Sequence, residues 1–272
     1  MKNIRVFRIF LAILFFAAST VYLCIGPDAH PMAVISVKSQ INLSLLATTI
    51  GATLVWLLIT LSFGRIYCST VCPIGAMTDF FARLGRRLRK KKKPYRWKTR
   101  KIWGELCLIG FILSLLLGFL PVGYVLGPWN MTADMAATVR PEAISDTWID
   151  FGYGVSTGII SGIVSFIIVS VWSVMSGRDY CTTVCPLGAA LCAIGHSSIM
   201  NIEIDPDRCT YCGKCEDVCS AHCIKVTDRL VDNPRCLRCF DCLAVCDEDA
   251  IRFQSNRNMP LTPLFQKRTE AK

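Results

Sequence analysis

Charge and histidine are what this sequence has little of. Only 18% of its 272 residues are charged, where soluble domains carry about 25%, and the mean hydropathy of +0.44 is high for a soluble chain of this length. An ordinary single soluble globule and a disordered chain are both excluded on that ground. The three histidines, His30, His196 and His222, all lie outside the apolar runs, so no pair of them can hold a haem inside a membrane. No C-x-x-C-H occurs either, which rules out covalent c-type attachment. No haem is expected. Cysteine is the opposite extreme, with sixteen. A disulfide framework would account for so many only in a secreted chain, and this chain reads as one embedded in a membrane.

Four apolar stretches are long enough to cross a bilayer, which takes about 20 helical residues. They run roughly over 6–25, 43–63, 102–120 and 154–174. Between the second and third lies a basic segment, Arg83 to Lys101, which includes Arg86, Arg87, Arg89 and Lys90 to Lys93. The positive-inside rule assigns it to the cytoplasm. Lys plus Arg number three in residues 1–8, one in 26–42, thirteen in 64–101, one in 121–153 and twelve after 175, an alternation that puts both termini inside. Such a basic run could meet nucleic acid or anionic lipid instead. Between two spans it reads as a topology determinant with lipid contact as a by-product, and no nucleic-acid partner is expected. The N-terminus resembles a signal peptide, with Lys2, Arg5 and Arg8 ahead of an apolar run and Ala17-Ala18-Ser19 after it. Tyr22-Leu23-Cys24 argues against a lipoprotein signal, and the segment reads as an uncleaved anchor.

Two internal repeats carry the chemistry. The first sets Gly64-Arg-Ile-Tyr-Cys68-Ser-Thr-Val-Cys72-Pro73-Ile-Gly75-Ala against Gly177-Arg-Asp-Tyr-Cys181-Thr-Thr-Val-Cys185-Pro186-Leu-Gly188-Ala. Each copy follows a span that returns to the cytoplasm, so the unit is a helical hairpin ending in C-x-x-x-C-P, duplicated in parallel. Pro73 and Pro186 suit the first position of a helix. Three readings of Cys68, Cys72, Cys181 and Cys185 stay open: a further metal or iron–sulfur centre, redox-active thiols near a quinone headgroup, or structural packing at helix ends.

The second repeat is Cys209-x2-Cys212-x2-Cys215-x3-Cys219 followed by Cys236-x2-Cys239-x2-Cys242-x3-Cys246. This is the spacing of bacterial ferredoxins, in which three thiolates on a tight loop cap three irons of a cubane and the fourth turns away to the other cluster. By that rule one [4Fe-4S] cluster takes Cys209, Cys212, Cys215 and Cys246, and the other takes Cys236, Cys239, Cys242 and Cys219. A zinc ribbon built from the C-x-x-C pairs would leave Cys215, Cys219, Cys242 and Cys246 without a purpose. Residues 201–204, 224–226 and 251–253 read as short strands around the cysteines. A domain of about 55 residues has too little core to fold securely alone, so cluster ligation should supply much of its stability. Ser220 and Asp247 stand where a proline usually follows the fourth cysteine. Cys24, Cys107 and Cys192 read as small hydrophobes, and Cys223, at the place of Ala250, as a spare buried thiol or a stand-in ligand.

The expected fold is therefore an integral membrane α-helical domain of four transmembrane helices over 1–200, a small α+β domain of the bacterial 2[4Fe-4S] ferredoxin type over 201–255, and a tail over 256–272. Both termini and the ferredoxin domain are expected in the cytoplasm.

The combination of Cys68, Cys72, Pro73, Cys181, Cys185, Pro186 and the eight cluster cysteines resembles the NapH-type family of membrane ferredoxins, with MauN-like proteins and the membrane region of NosR. The resemblance implies a bacterial inner-membrane component of a quinol dehydrogenase. Its expected partners are the quinone pool and an iron–sulfur or cytochrome electron carrier serving a periplasmic reductase of the nitrate-reductase kind. The alternative is an assembly or maturation factor that delivers electrons to a metal or thiol centre of another oxidoreductase. Quinol oxidation releases protons, and the outer-loop residues Asp28, His30, Asp134, Glu142, Asp146 and Asp150, near Trp129 and Trp148, are candidate acceptors, although loop acids are usually just solvated.

Overall fold

A computed structural model describes residues 2–25, 46–88, 95, 101–116, 132 and 155–255. The expected tail, the two outer loops apart from Thr132, and residues 43–45, 117–120 and 154 of the expected spans lie outside the described residues. Four long helices come first: α1 (Lys2–Ile25), α2 (Leu46–Phe63), α5 (Lys101–Leu116) and α6 (Val155–Ser176). Among the described residues, one helical stretch, Asn3–Ile25, is long and apolar enough to cross a membrane by length and composition, and Thr53–Phe63 and Gly162–Ser176 are shorter apolar runs. Large apolar side chains stand exposed along all four, among them Phe7, Phe10, Ile13, Leu54, Leu58, Ile109, Ile160 and Ile168. A surface of that kind fits a lipid or protein neighbour rather than water.

Both copies of the hairpin repeat fold alike. α2 and α6 each stop at a glycine in the left-handed region, Gly64 at φ 79° and Gly177 at φ 71°, a stop that a side chain would make costly. One short turn of helix follows in each copy, α3 (Tyr67–Thr70) and α7 (Asp179–Thr183), and then a helix opening on proline, α4 (Pro73–Leu88) and α8 (Pro186–Gly195). α4 is strongly amphipathic. It buries Ile74, Met77, Thr78 and Ala82 and leaves Phe80 and Leu88 exposed, with Arg86 and Arg87 in the last turn, where cations suit the helix dipole.

The C-terminal unit pairs β1 (Met200–Ile204) antiparallel with β4 (Ile251–Ser255), Ile202 opposite Phe253. A second hairpin pairs β2 (Ile224–Lys225) with β3 (Leu230–Val231). Residues 226–228, the first of them read as strand from the sequence, form a single 3-10 turn. Two one-turn helices, α9 (Lys214–Val218) and α10 (Asp241–Val245), complete it. This unit sits on one end of the helices. Arg5 pairs with Asp241 at 2.6 Å, Arg238 Nε donates to Phe63 O at 3.1 Å, and Arg178 N donates to Ser220 O at 2.9 Å. The start of α1, the end of α2 and the end of α6 are thereby gathered on the same side.

Candidate functional site

The loops 209–215 and 236–242 are two copies of one shape. The residue before the second cysteine is left-handed in each (Tyr211 φ 57°, Arg238 φ 52°), as is the residue after it (Gly213 φ 76°, Phe240 φ 60°). A third such pair, His222 (φ 55°) and Asp249 (φ 46°), falls three residues beyond Cys219 and Cys246. Left-handed backbone costs a non-glycine residue about 1–2 kcal/mol, and it persists where the surroundings over-determine it. It also turns successive N–H groups toward one concave side, where sulfur anions would lie.

Cys209, Cys212, Cys215 and Cys246 line a single cavity of about 100 Å³ walled by Ile204, Val226 and Ile251. Three of these cysteines come from the first motif and one from the second. The other set lies deeper: Cys219, Cys236 and Cys242 are buried and Cys239 is half-buried, and Cys219 is close enough to act electrostatically on each of the other three. The fourth cysteine of each motif accepts the same local bond, Cys223 N–H to Cys219 Sγ at 3.4 Å and Ala250 N–H to Cys246 Sγ at 3.3 Å. Cys223 itself is fully buried, and its thiol lies 3.2 Å from Ala221 O. Burial pushes the Cys215 thiol up to about 12 and raises Cys236, Cys239 and Cys242 as well. Cys219 goes down, held there by the Cys223 thiol first and, against burial, by backbone N–H groups. Among the described residues no three His, Cys, Asp or Glu side chains are close enough to hold one metal ion. A cubane needs wider spacing, because each thiolate binds a different iron. The two sets fit such clusters in donor type, number and backbone shape.

The C-x-x-x-C-P cysteines also converge. Cys68, Cys72, Cys181 and Cys185 are all buried, and Cys72 lies within electrostatic reach of the other three. The two copies are locked by a reciprocal exchange: Arg65 Nη2 donates to Cys181 O at 2.7 Å, and Arg178 Nη2 donates to Cys68 O at 2.6 Å. Gly75 and Gly188 make room for it. A Cβ on Gly75 would meet Cys68 O at 2.0 Å, and one on Gly188 would meet Cys181 O at 2.3 Å. Each motif ends with its second thiol at a helix start, where Cys185 Sγ accepts from Gly188 N–H at 3.4 Å. Burial pushes Cys185 up to about 12 and raises Cys68 and Cys72.

Arg65 and Arg178 are almost wholly buried, and Arg65 Nε and Arg178 Nε and Nη1 find no hydrogen-bond partner among the described residues. A buried, incompletely bonded cation is costly unless an anion sits beside it. Sequence reasoning concentrated on the cysteines and passed over these arginines. The signal was the Gly-Arg dipeptide, present at the head of both copies. Arg178 also lies within reach of Cys239 of the deeper ferredoxin set, as well as of Cys68, Cys181 and Asp79. Of the cysteines read as small hydrophobes, Cys107 and Cys192 are half-buried and Cys24 is exposed. The loop acids read as proton acceptors lie outside the described residues.

The chain is similar to known proteins over much of this region. A family described as 4Fe-4S binding domain matches residues 45–92 and 159–196, which contain both C-x-x-x-C-P motifs, and a second family of that description matches 202–225. The "Ferredoxin-type protein NapH" of Haemophilus influenzae is 30% identical over 173 residues, covering 63% of this chain and 53% of that protein. The "Methylamine utilization ferredoxin-type protein MauN" of Paracoccus denitrificans is 26% identical, covering 62% and 53%. The "Putative electron transport protein YccM" of Escherichia coli is 24% identical, covering 60% and 43%. The chain spans about half the length of these curated relatives. No solved structure matches.

Proposed function

We propose that the chain, similar to ferredoxin-type proteins of the NapH and MauN kind, is an iron–sulfur electron-transfer protein of that family and the four-span membrane component of a quinol dehydrogenase, located in the bacterial inner membrane. It passes electrons to an iron–sulfur or cytochrome partner that serves a periplasmic reductase. The observation that carries this reading is the order of the thiols. Cys68 and Cys181 of the C-x-x-x-C-P set stand beside Arg178, Arg178 stands beside Cys239, and Cys242 of that deeper set stands beside Cys215 of the outer one. Two electron sites at one end would suffice for a soluble ferredoxin; a third thiol set on the membrane side supplies an entry from lipid.

In this reading Cys209, Cys212, Cys215 and Cys246 hold one [4Fe-4S] cluster and Cys236, Cys239, Cys242 and Cys219 another. Cys68, Cys72, Cys181 and Cys185 hold a third. When bound, the clusters supply one-electron carriers. Four thiolates around an oxidised cubane leave a charge of about −2, and the guanidinium groups of Arg65 and Arg178 match it. Their unpartnered N–H groups would then find acceptors. Four spans are supported by the exposed apolar surface of the long helices, by the loop charge alternation, and by the gathering of three helix ends at the ferredoxin unit. In this reading the ferredoxin unit lies on the cytoplasmic side.

Anaerobic purification, iron and sulfide counts, and EPR during quinol addition test the reading. About twelve irons per chain, with clusters reduced by quinol, is the expected result. About eight would remove the third cluster. Serine at Cys68 or Cys181 should abolish quinol-driven reduction and leave both ferredoxin signals; normal reduction in both variants removes those cysteines from the path. Clusters that dithionite reduces and quinol does not would overturn the quinol dehydrogenase reading in favour of an assembly role.

A further inference from the structure

A cavity of about 680 Å³ lies between α1, α4 and α6, on the flank of the C-x-x-x-C-P site. Pro73, the residue that follows Cys72, is part of its wall. The walls are otherwise largely apolar, with Phe16, Leu23, Met77, Phe81 and Phe166 among them. Among the described residues its charged lining groups are Asp79 and Arg83, which pair at 3.1 Å. Asp79 is anchored a second time by Arg8 Nη1 at 3.0 Å, at the start of α1. On α1 the lining runs from Ile9 to Cys24, about 22 Å at 1.5 Å per residue. Ile13 and Phe16 stand exposed along that run, so the cavity opens sideways beside apolar outer surface of α1.

We propose that this cavity binds an isoprenoid quinone or quinol, its headgroup against Asp79 and Arg83 and its tail along α1. The proposal rests on the quinol dehydrogenase reading and gives that activity a place in the fold. Three features select this ligand class. The charges of the described lining cancel, with Arg8 and Arg178 acting on Asp79 without lining the cavity, which suits a neutral headgroup; a lipid phosphate would call for cations on the wall itself. The pair offers both halves of quinone recognition, since the Arg83 guanidinium can donate to a carbonyl and the Asp79 carboxylate can accept from a hydroxyl. A long apolar channel with one polar end matches a polyprenyl tail entering from the bilayer. The Arg178 charge first, then those of Arg8 and Arg83, hold the Asp79 carboxyl below the ordinary carboxylate range despite burial, which keeps it an acceptor.

The test uses the full-length, cluster-loaded protein in nanodiscs. The probe is 2-heptyl-4-hydroxyquinoline N-oxide, a fluorescent quinone analogue, with menaquinone-4 as competitor, in neutral lipid and in lipid containing phosphatidylglycerol. The expected result is one site per chain, emptied by menaquinone-4 and indifferent to phosphatidylglycerol. Asp79→Asn and Arg83→Gln should each weaken binding about tenfold, the scale of a lost charged hydrogen bond. Because Asp79 also anchors Arg8, Thr20→Trp is the second variant. Thr20 is exposed and on the cavity wall, so a bulky side chain there blocks the channel without disturbing the core, and binding should be lost with iron content unchanged. Saturable binding unaffected by all three substitutions would overturn the proposal, as would displacement of the probe by phosphatidylglycerol. So would an absence of binding in protein whose clusters quinol still reduces, an outcome that leaves the dehydrogenase reading standing. Binding lost in the variants, with clusters that quinol cannot reduce even in the unaltered protein, upholds the site and overturns the dehydrogenase reading alone.

Discussion

The two cysteine sets of the ferredoxin unit have the same spacing and the same loop shape, yet they live in different surroundings. The outer set, with Cys246 from the second motif, surrounds a cavity open enough to leave Cys212 exposed and Cys209 half-buried. Its charged neighbours are solvent-facing, such as Lys214, which pairs with Asp247 at 2.5 Å. The inner set is buried apart from half-buried Cys239, and it shares Arg178 with the C-x-x-x-C-P thiols. Arg238, between Cys236 and Cys239, is spent on the helix junction, donating to Phe63 O at 3.1 Å and to Met200 O at 3.0 Å. One loop design therefore serves two tasks. The inner copy is welded to the long helices, and the outer copy leaves Cys212 open to the surface.

The largest test of that division is loss of one ligand from each set. Cys239→Ser should cost about four irons per chain and cut quinol-driven reduction of the outer cluster to background, because the outer set then loses its link to the membrane. Cys212→Ser should leave the inner cluster reducible by quinol and block transfer to an external acceptor. EPR after quinol addition distinguishes the two. Equal loss from both variants would end the distinction between an inner and an outer site.

Charge removal gives a smaller effect in the same direction. Arg178→Gln deletes a fully buried cation and leaves Asp79 and the Cys68 carbonyl short of a partner. Breaking such a buried pair costs about 3–5 kcal/mol, and loss of iron from the C-x-x-x-C-P site should accompany it. Lys214→Gln, beside the outer set but fully exposed, should leave thermal stability and iron content unchanged and alter the rate of transfer to an acidic partner. Thermal bleaching of cluster absorbance checks both variants.

Tuning is subtler still. Cys223→Ala removes the thiol that holds Cys219 down. Donors near a ligating sulfur stabilise the reduced cluster, so the inner potential should fall on the order of tens of millivolts while the outer one stays put. Redox titration followed by EPR resolves the two. An unchanged inner potential would reduce Cys223 to a filler of space.

The cysteine frame was legible because ligand spacing is a local property. Eight residues at fixed intervals announce ferredoxin loops, and the proline after each C-x-x-x-C announced the helices that begin at Pro73 and Pro186. The left-handed backbone at Tyr211, Arg238, Phe240, His222 and Asp249 was not legible, because no glycine marks it. Arg65 and Arg178 were visible as a repeat, but their crossing over, each serving the other copy's carbonyl, depends on how two distant hairpins pack. Asp79 looked like one acid on an amphipathic helix. Only tertiary structure brings Arg8 from residue 8 to within 3.0 Å of it.

The smallest effect concerns pH, and it falls on the outer half alone. Glu203 lies in β1 between Ile202 and Ile204, opposite Arg252, and its Oε2 has no hydrogen-bond partner among the described residues. Burial first, and Asp205 second, push its carboxyl up to about 7. Below the ordinary carboxylate range both folded and unfolded chains carry the proton, and nothing is lost. As pH rises toward 7 the unfolded chain releases the proton first, so stability falls across that window and stays lower above it. Glu203→Gln removes the ionisation. Bleaching of the outer cluster should then slow a few-fold at about pH 8 and be unchanged near the acid end, at about pH 4, with the inner cluster indifferent at both. Equal slowing at both pH values would point to packing at this strand and not to the buried charge.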